Sequence, residues 1–540
     1  MTTERVFIFL TGAAVLALEL ISSRALNPFF GVALYIWTGV LSTTLVFLSV
    51  GYYLGGRLAR DLDSKTLTAS FHALIAASGL ALAVSVHIYP VVLGPLARFS
   101  LVLGSFAACA VILCVPLIAL SALNPLLVAL ERRNGPGSGE SDDAGAGIIF
   151  FISTLGSVAG VSLAAFVLIA HWSNRESIAL IALSLAVMAV AGALARRKHL
   201  ARGPFTAVLV LALLGGMAAA AVLVEASRAS VEVTDGQRRR WSILAERPTP
   251  FGTLKVARVT APDGTTMTRL LNVGESMNGF LPGGESSYLF TYMIGAGTRP
   301  LVDSPRRALV LGFGAGVVPS YFASQGAQVD AVEINPEMER LARDHFGFRP
   351  RPDIRVVTAD ARTFVQGCRG EYDVVSIDLF FGDGIPEHLT TREFFADVRN
   401  CLAPQGVIAM NSLFVFENTT YYRHLVATMV SVFGAVALLE EPQGPGAAGT
   451  NYFIYARKDG GGFDAFAAPL ARPSGTPAPI FESMVKTMKT ARVIQPGSPF
   501  IAGIPVVRDE TNPMAMVGIP LQTIYRVSIV TYTPDAILVD

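Results

Sequence analysis

Seven stretches in the first 224 residues are long and apolar: Val6 to Ser22, Val32 to Gly55, Ala69 to Leu93, Ser100 to Leu130, Gly147 to Ala170, Ser177 to Ala195 and Phe205 to Val224. A bilayer core takes roughly 20 apolar residues per helix. Runs of this kind leave few options besides a multi-span helical membrane domain, because only helices and closed barrels satisfy the backbone in lipid. The first run does not read as a cleaved signal peptide: it contains Glu19 and leads into "SSRALNPFFG" rather than a small-residue cleavage site. The fourth carries Pro116, Asn124 and Pro125, which predict a kink or an early end. The glycine-rich stretches "GYYLGG" (51–56) and "STLGSVAG" (153–160) predict close helix approach. Glu19 and Arg24 end an apolar helix, and two readings stand: both reach the interface, paired with other groups, or they form a polar site inside the bundle.

Loop charge sets orientation. One side would hold Arg5, Arg57, Arg60, Lys65, Arg132, Arg133, Arg196, Arg197, Lys198 and Arg202, ten cations; the other would hold three, Arg24, Arg98 and Arg175. This places the N-terminus in the cytoplasm of a bacterial-type inner (plasma) membrane, and seven spans then put the remainder of the chain outside. The cluster Arg238, Arg239 and Arg240 after the last span favours reversal, and the side stays open with the charge count leaning outward.

The chain has 540 residues, 52% of them hydrophobic and only 15% charged, and the charge deficit lies before Pro204. Beyond it the sequence has the composition of a soluble domain. A net charge of +1 gives no reason to expect a nucleic-acid partner. Four cysteines in so long a chain form no disulfide framework; Cys368 and Cys401 lie in the soluble part without metal-ligand spacing, and no metal is expected.

Arg228 to Arg247 reads as a linker. From Phe251 to about Asn278 short strands alternate with turns such as "PDG", which predicts a small β-rich subdomain. Then strand and helix patterns alternate: "ALVLGFG", "VVPSYFASQG", "QVDAVEI", "PEMERLARDHFG", "DIRVVTAD", "ARTFVQGC", "YDVVSIDLF", "TTREFFADVRNCL", "GVIAMNS". This alternation predicts an α/β domain with a parallel, doubly wound sheet, whose ligands bind beyond the carboxyl ends of the strands. Gly312, Gly314 and Gly316 follow the first strand and let the backbone approach a ligand. Glu333 ends the second, where a carboxylate can accept both ribose hydroxyl protons. Asp360, with Ala361 beside it, ends the third, where it can accept from an adenine amino group or cap the next helix. Asp378 ends the fourth, facing the reacting centre. His388, in "IPEHLTT", and Asn411 lie near the site mouth, as loop residues or acceptor contacts.

These motifs — "VEIN", "TADAR", "YDVVSIDLF" and "GDGIPEHLTTREFF", with "ELISSRALNPFFG", "GYYLGGRLA" and "STLGSVAG" in the membrane half — resemble the spermidine synthase (polyamine aminopropyltransferase) family in its membrane-fused branch. The resemblance implies a Rossmann-like methyltransferase domain behind a small β domain. It also implies decarboxylated S-adenosylmethionine, or S-adenosylmethionine, as donor, without a metal. By resemblance Glu333 binds the ribose, Asp360 lies at the adenine, Asp378 is the general base, and Tyr288 contacts substrate. Other positions depart. The loop Asp of the family is Ala315 here, the His after Tyr288 is Leu289, a Gln is Gly252, and the second Asp is Phe381, with Asp383 as its stand-in. A cationic amine needs carboxylates to replace its hydration. The nucleoside half of the site is therefore kept and the polyamine half altered.

The boundaries read from the sequence are 1–227 for the membrane domain, 228–250 for the linker, 251–300 for the β-rich subdomain, 301–460 for the nucleoside-binding domain and 461–540 for a C-terminal extension. The expected function is a membrane-bound transferase acting on a small-molecule amine or a lipid-borne acceptor, with putrescine a poor fit. The bilayer is a partner, and a homodimer is left open. The alternatives are a nucleoside-sensing transporter and a catalytically silent scaffold.

Overall fold

In the computed structural model, which describes residues 3–134, 143–198, 200–226, 231–415, 419–442 and 449–539, seven helices fall on the seven apolar stretches. They are α1 (Thr3–Phe30), α2 (Leu34–Asp61), α3 (Ser64–Phe99), α4 (Leu101–Asn134), α5 (Asp143–Leu163, continued by a π-turn to His171), α6 (Asn174–Ala195) and α7 (Arg202–Ala226). Each is long and apolar enough to cross a membrane. The fourth runs unbroken through Pro116 and Pro125, so the expected early end does not occur. The glycine stretches do bring helices together. A Cβ on Gly51 or Gly55 would strike the α4 backbone at Ile118 or Ala122, and one on Gly156 or Gly160 would strike α1 at Phe9 or Ala13.

Contacts divide the chain into two units. The helical unit also takes in two short segments, Pro248–Thr253 and Thr533–Asp540. Ion pairs tie its ends. Arg5 at the start of α1 makes a two-pronged pair with Glu131 near the end of α4, both contacts at 2.8 Å. Arg196, after α6, donates to Glu4. At the other end of α1, Arg24 donates to the carbonyls of Thr249 (2.7 Å) and Pro250 (3.0 Å). Arg98, near the end of α3, pairs with Asp535 at 2.9 and 2.8 Å. The cation of the Glu19/Arg24 pair thus has backbone partners outside the helices.

The second unit opens with an antiparallel five-stranded meander: β1 (Glu232–Thr234), β2 (Arg240–Arg247), β3 (Leu254–Thr260), β4 (Thr266–Asn272) and β5 (Glu275–Phe280). The stretch read as a linker therefore carries two strands. Its basic run hid a buried Trp241, whose ring lies under Arg239 and Arg269 and whose indole donates to Asp235 at 2.9 Å. Residues 227–230, at its start, lie outside the described residues.

The larger sheet has a parallel part, made of β6 (Arg307–Leu311), β7 (Gln328–Glu333), β8 (Ile354–Thr358), β9 (Tyr372–Ile377) and β10 (Leu402–Val415). The remaining strands, β11 (Val436–Glu440), β12 (Gly449–Arg457) and β13 (Arg492–Ile494), are antiparallel to their neighbours, so the sheet is mixed rather than wholly parallel. The reason is connection length: β11 and β12 are too close in sequence for a crossover and must pair as a hairpin. The strand order is β13-β11-β12-β10-β9-β6-β7-β8. Chain order reverses between β6 and β9, the switch point where such sheets bind ligands.

A short α8 (Leu289–Met293) precedes the sheet, and α9 (Val317–Ser324), α10 (Pro336–His345), α11 (Ala361–Gly367), α12 (Arg392–Cys401) and α13 (Thr419–Phe433) connect its strands. These helices carry their own start signals. In α10, Asn335 accepts from the Glu337 amide, proline opens the first turn, and Arg343 and His345 face the negative end. The segment 461–540 is no loose extension. It supplies β13, α14 (Ala478–Met488), a short α15 (Met514–Val517) and α16 (Ile519–Tyr532), and Arg362 pairs with its Asp509 at 2.8 and 2.5 Å. Cys368 and Cys401 form a disulfide, a pairing that a 33-residue separation did not reveal.

Candidate active site

The glycine turn after β6 is forced by its surroundings. Gly312, Gly314 and Gly316 have φ of 95°, 54° and 80°, a region L side chains rarely enter. A Cβ on Gly312 would also run into the Asp378 carbonyl. The turn therefore lies against the end of β9, and the Asp378 amide donates to Leu311 at 2.9 Å.

Glu333, the last residue of β7, accepts from the amides of Phe313 (3.2 Å) and Asn335 (2.9 Å). Burial raises its pKa, and these N–H groups oppose the shift. Asp360 does cap α11: its Oδ1 accepts from the Thr363 amide at 3.0 Å. Its other oxygen faces His388 Nε2 at 3.6 Å. His388 is therefore beside Asp360, on an exposed turn. Ala361 is buried at the first position of α11.

Asp378 follows β9. Asn411 on β10 donates to its Oδ1 at 3.0 Å. Burial pushes the Asp378 carboxyl up to about 6, against the Asn411 hydrogen bond. Such a group is ionised at neutral pH yet basic enough to take a proton.

Around Asp383 the structure differs from the sequence expectation. Asp383 is buried against Arg526 of α16: Nη2 lies 2.5 Å from Oδ1, and Nε donates to Oδ2 at 3.2 Å. Glu275, at the start of β5, accepts from the Tyr525 hydroxyl at 3.0 Å. Burial first, then the nearby Asp383, pushes Glu275 up to about 8, with Tyr525 and Arg526 opposing and Asp378 adding a smaller upward push. Asp383, as placed, faces a guanidinium of its own chain. Tyr288 bonds Ser276 at 2.7 Å and stacks on Phe290. Leu289 and Ala315 both belong to a buried apolar cluster with Phe313 and Phe322, so these two departures are core packing.

Sequence reasoning missed Glu275, Tyr525 and Arg526. The first has no motif around it. The other two had one available signal: "IPLQTIYRVSIVTY" is an apolar helix with a single cation, and a lone Arg among apolar residues implies a buried partner.

Strand order, the glycine turn and carboxylates at successive strand ends gather at the switch point of a Rossmann-like α/β sheet. Residues 300–440 match the spermine/spermidine synthase domain. A polyamine aminopropyltransferase of Vibrio vulnificus is 39% identical over 147 residues, 26% of this chain and 48% of the relative. An N-terminal histidine N-methyltransferase of Emericella nidulans is 32% identical over 179 residues, 32% of this chain and 31% of the relative. The matches thus span half or less of these curated relatives. Among solved structures, a probable spermidine synthase from Corynebacterium glutamicum aligns with 49% of this chain and 95% of its own, at 20% identity and a TM-score of 0.39.

Proposed function

We propose that the protein is a membrane-bound, spermidine synthase-like transferase, moving a group from an S-adenosylmethionine-type donor, decarboxylated or not, to an amine. The observation that carries this reading is one sheet presenting Glu333, Asp360 and Asp378 at the ends of β7, β8 and β9 around a glycine turn. Glu333 would hold the ribose and Asp360 the adenine, placing the sulfonium toward Asp378. The amine lone pair then forms a C–N bond at the carbon beside sulfur. The C–S bond breaks, and its electron pair neutralises the sulfonium to a thioether. Asp378 takes the proton the nitrogen loses, with Asn411 fixing the carboxylate's orientation. The acceptor is a soluble or lipid-borne amine other than putrescine by preference.

We further propose that the catalytic unit lies outside the cytoplasm. The ten-to-three loop charge with seven spans supports this. A disulfide suits an oxidising compartment. Against this placement stands the Arg238–Arg240 cluster, of which Arg239 is held by Asp235 at 2.6 Å. A cysteine at exposed Thr265 should react with an impermeant maleimide in intact cells. Labelling only after permeabilisation would put the unit in the cytoplasm. The reaction itself is tested by mass analysis of products from both donors with a panel of amines. Transfer by wild type, absent in Asp378→Asn, is expected; nucleoside binding without transfer to any amine would favour a sensing role.

A further inference from the structure

Helix α16 is apolar except for a few polar groups, and Leu521, Ile529 and Val530 are buried. Two consecutive residues on it engage carboxylates: Tyr525 donates to Glu275, which feels both Asp383 and Asp378, and Arg526 pairs with Asp383, five residues beyond Asp378. Arg526 is wholly buried, its ion-pair partner Asp383 is 1% exposed, and Arg526 Nη1 also donates to the Val273 carbonyl at 2.9 Å. A guanidinium is buried in this way only against a carboxylate and further acceptors. Leu521 lies in the same core cluster as Ile377, Phe394 and Met410, so α16 is part of the packed domain and not a loose flap.

We infer that Arg526 is a specificity determinant on the acceptor side: the chain itself supplies the positive charge that the second ammonium of a diamine would bring, so the site takes an acceptor with a single amine. The inference rests on the transferase reading for the place of the acceptor. A second ammonium entering the site would need a carboxylate free of other cations, since its own hydration must be replaced. Both Asp383 oxygens face Arg526. Glu275 is bonded to Tyr525, and with its carboxyl pushed up to about 8 it is largely uncharged at neutral pH. Asp378 remains as the anion for one amine, the reacting one. Composition of the motifs alone suggested that acidic groups had been lost; the structure instead shows acidic groups present and internally neutralised.

Binding separates these cases without depending on turnover. Putrescine and n-butylamine, which share a four-carbon chain, are titrated calorimetrically into the detergent-solubilised full chain, wild type and Arg526→Met. Wild type should show no preference for the diamine. Arg526→Met leaves Asp383 without its cation and should bind putrescine at least about tenfold more tightly than wild type does, a gap that one charge-assisted contact supplies. Should that variant fail to fold, Arg526→Gln keeps donors for Asp383 and Val273 and carries the same expectation. The double variant Arg526→Met/Asp383→Asn should lose the gain. A wild type that binds putrescine about tenfold or more tightly than butylamine, or a folded Arg526 variant with unchanged putrescine affinity, would overturn the inference. Methylthioadenosine is titrated separately: its failure to bind counts against the transferase reading and leaves the amine comparison standing.

Discussion

Two pairs of carboxylates in the second unit are held by different means. Glu333 and Asp360, the proposed nucleoside half, accept from backbone amides at a turn and a helix start. Glu275 and Asp383, the proposed acceptor half, are held by side chains of α16. Backbone donors come with the strand–turn–helix geometry, so the sequence motif and the binding role travel together. Side-chain partners contributed from some 140 residues or more away can change without altering any motif. On the proposed reading, this contrast lets the acceptor side change while the nucleoside motifs stay.

The largest effect should come from Asp378, which follows β9 and is held by Asn411. Asp378→Asn keeps shape and the Asn411 neighbourhood but removes proton acceptance, and should lower turnover by about 10²–10⁴-fold with nucleoside affinity kept. The wild-type rate should fall as pH drops through about 6, where Asp378 becomes protonated. Equal loss of nucleoside binding in the variant would mean the two halves are not separable. Glu333→Ala should weaken nucleoside binding by at least about tenfold, since a charge-assisted hydrogen bond contributes roughly 1.5–3 kcal/mol. Amine binding should be unaffected, and calorimetry with each ligand alone checks both halves.

A smaller effect concerns stability. The Glu275 carboxyl is raised from its ordinary value to about 8, so the folded state favours its protonated form. That contribution is fully present below the unfolded pKa near 4.5 and is lost as pH rises toward about 8. Glu275→Gln should flatten this part of the stability profile in thermal unfolding scans from pH 5 to about 8. An unchanged slope would show that another group carries it. Substituting Ala315→Asp, the change that restores a family-like carboxylate, should destabilise the fold by about 1–3 kcal/mol, because its place is apolar core.

Much of the fold was legible because its signals are local. Seven apolar runs became seven helices, and the period change after Arg307 marked β6 to β10 in the right sequence order. Strand ends could be read because Glu333, Asp360 and Asp378 each close a short apolar run. The illegible parts depend on distant partners. Trp241 looked like part of a basic linker because its stacking cations surround it in space. Cys368 and Cys401 meet only through the packing of α11 and α12. Leu289 and Ala315 read as altered ligand contacts, whereas burial makes them packing residues. Arg526 lies in a segment with no strand–helix alternation to give it a place.

Nucleoside binding is the most direct test of what the sheet does. Methylthioadenosine, S-adenosylmethionine and decarboxylated S-adenosylmethionine should be titrated side by side into the purified full chain and its Glu333→Ala variant. Saturable binding of at least one nucleoside, weakened about tenfold or more by the variant, is the result predicted. Absence of binding by all three, or an affinity that a folded Glu333→Ala protein retains in full, would contradict the assignment of β6 to β9 as a nucleoside site.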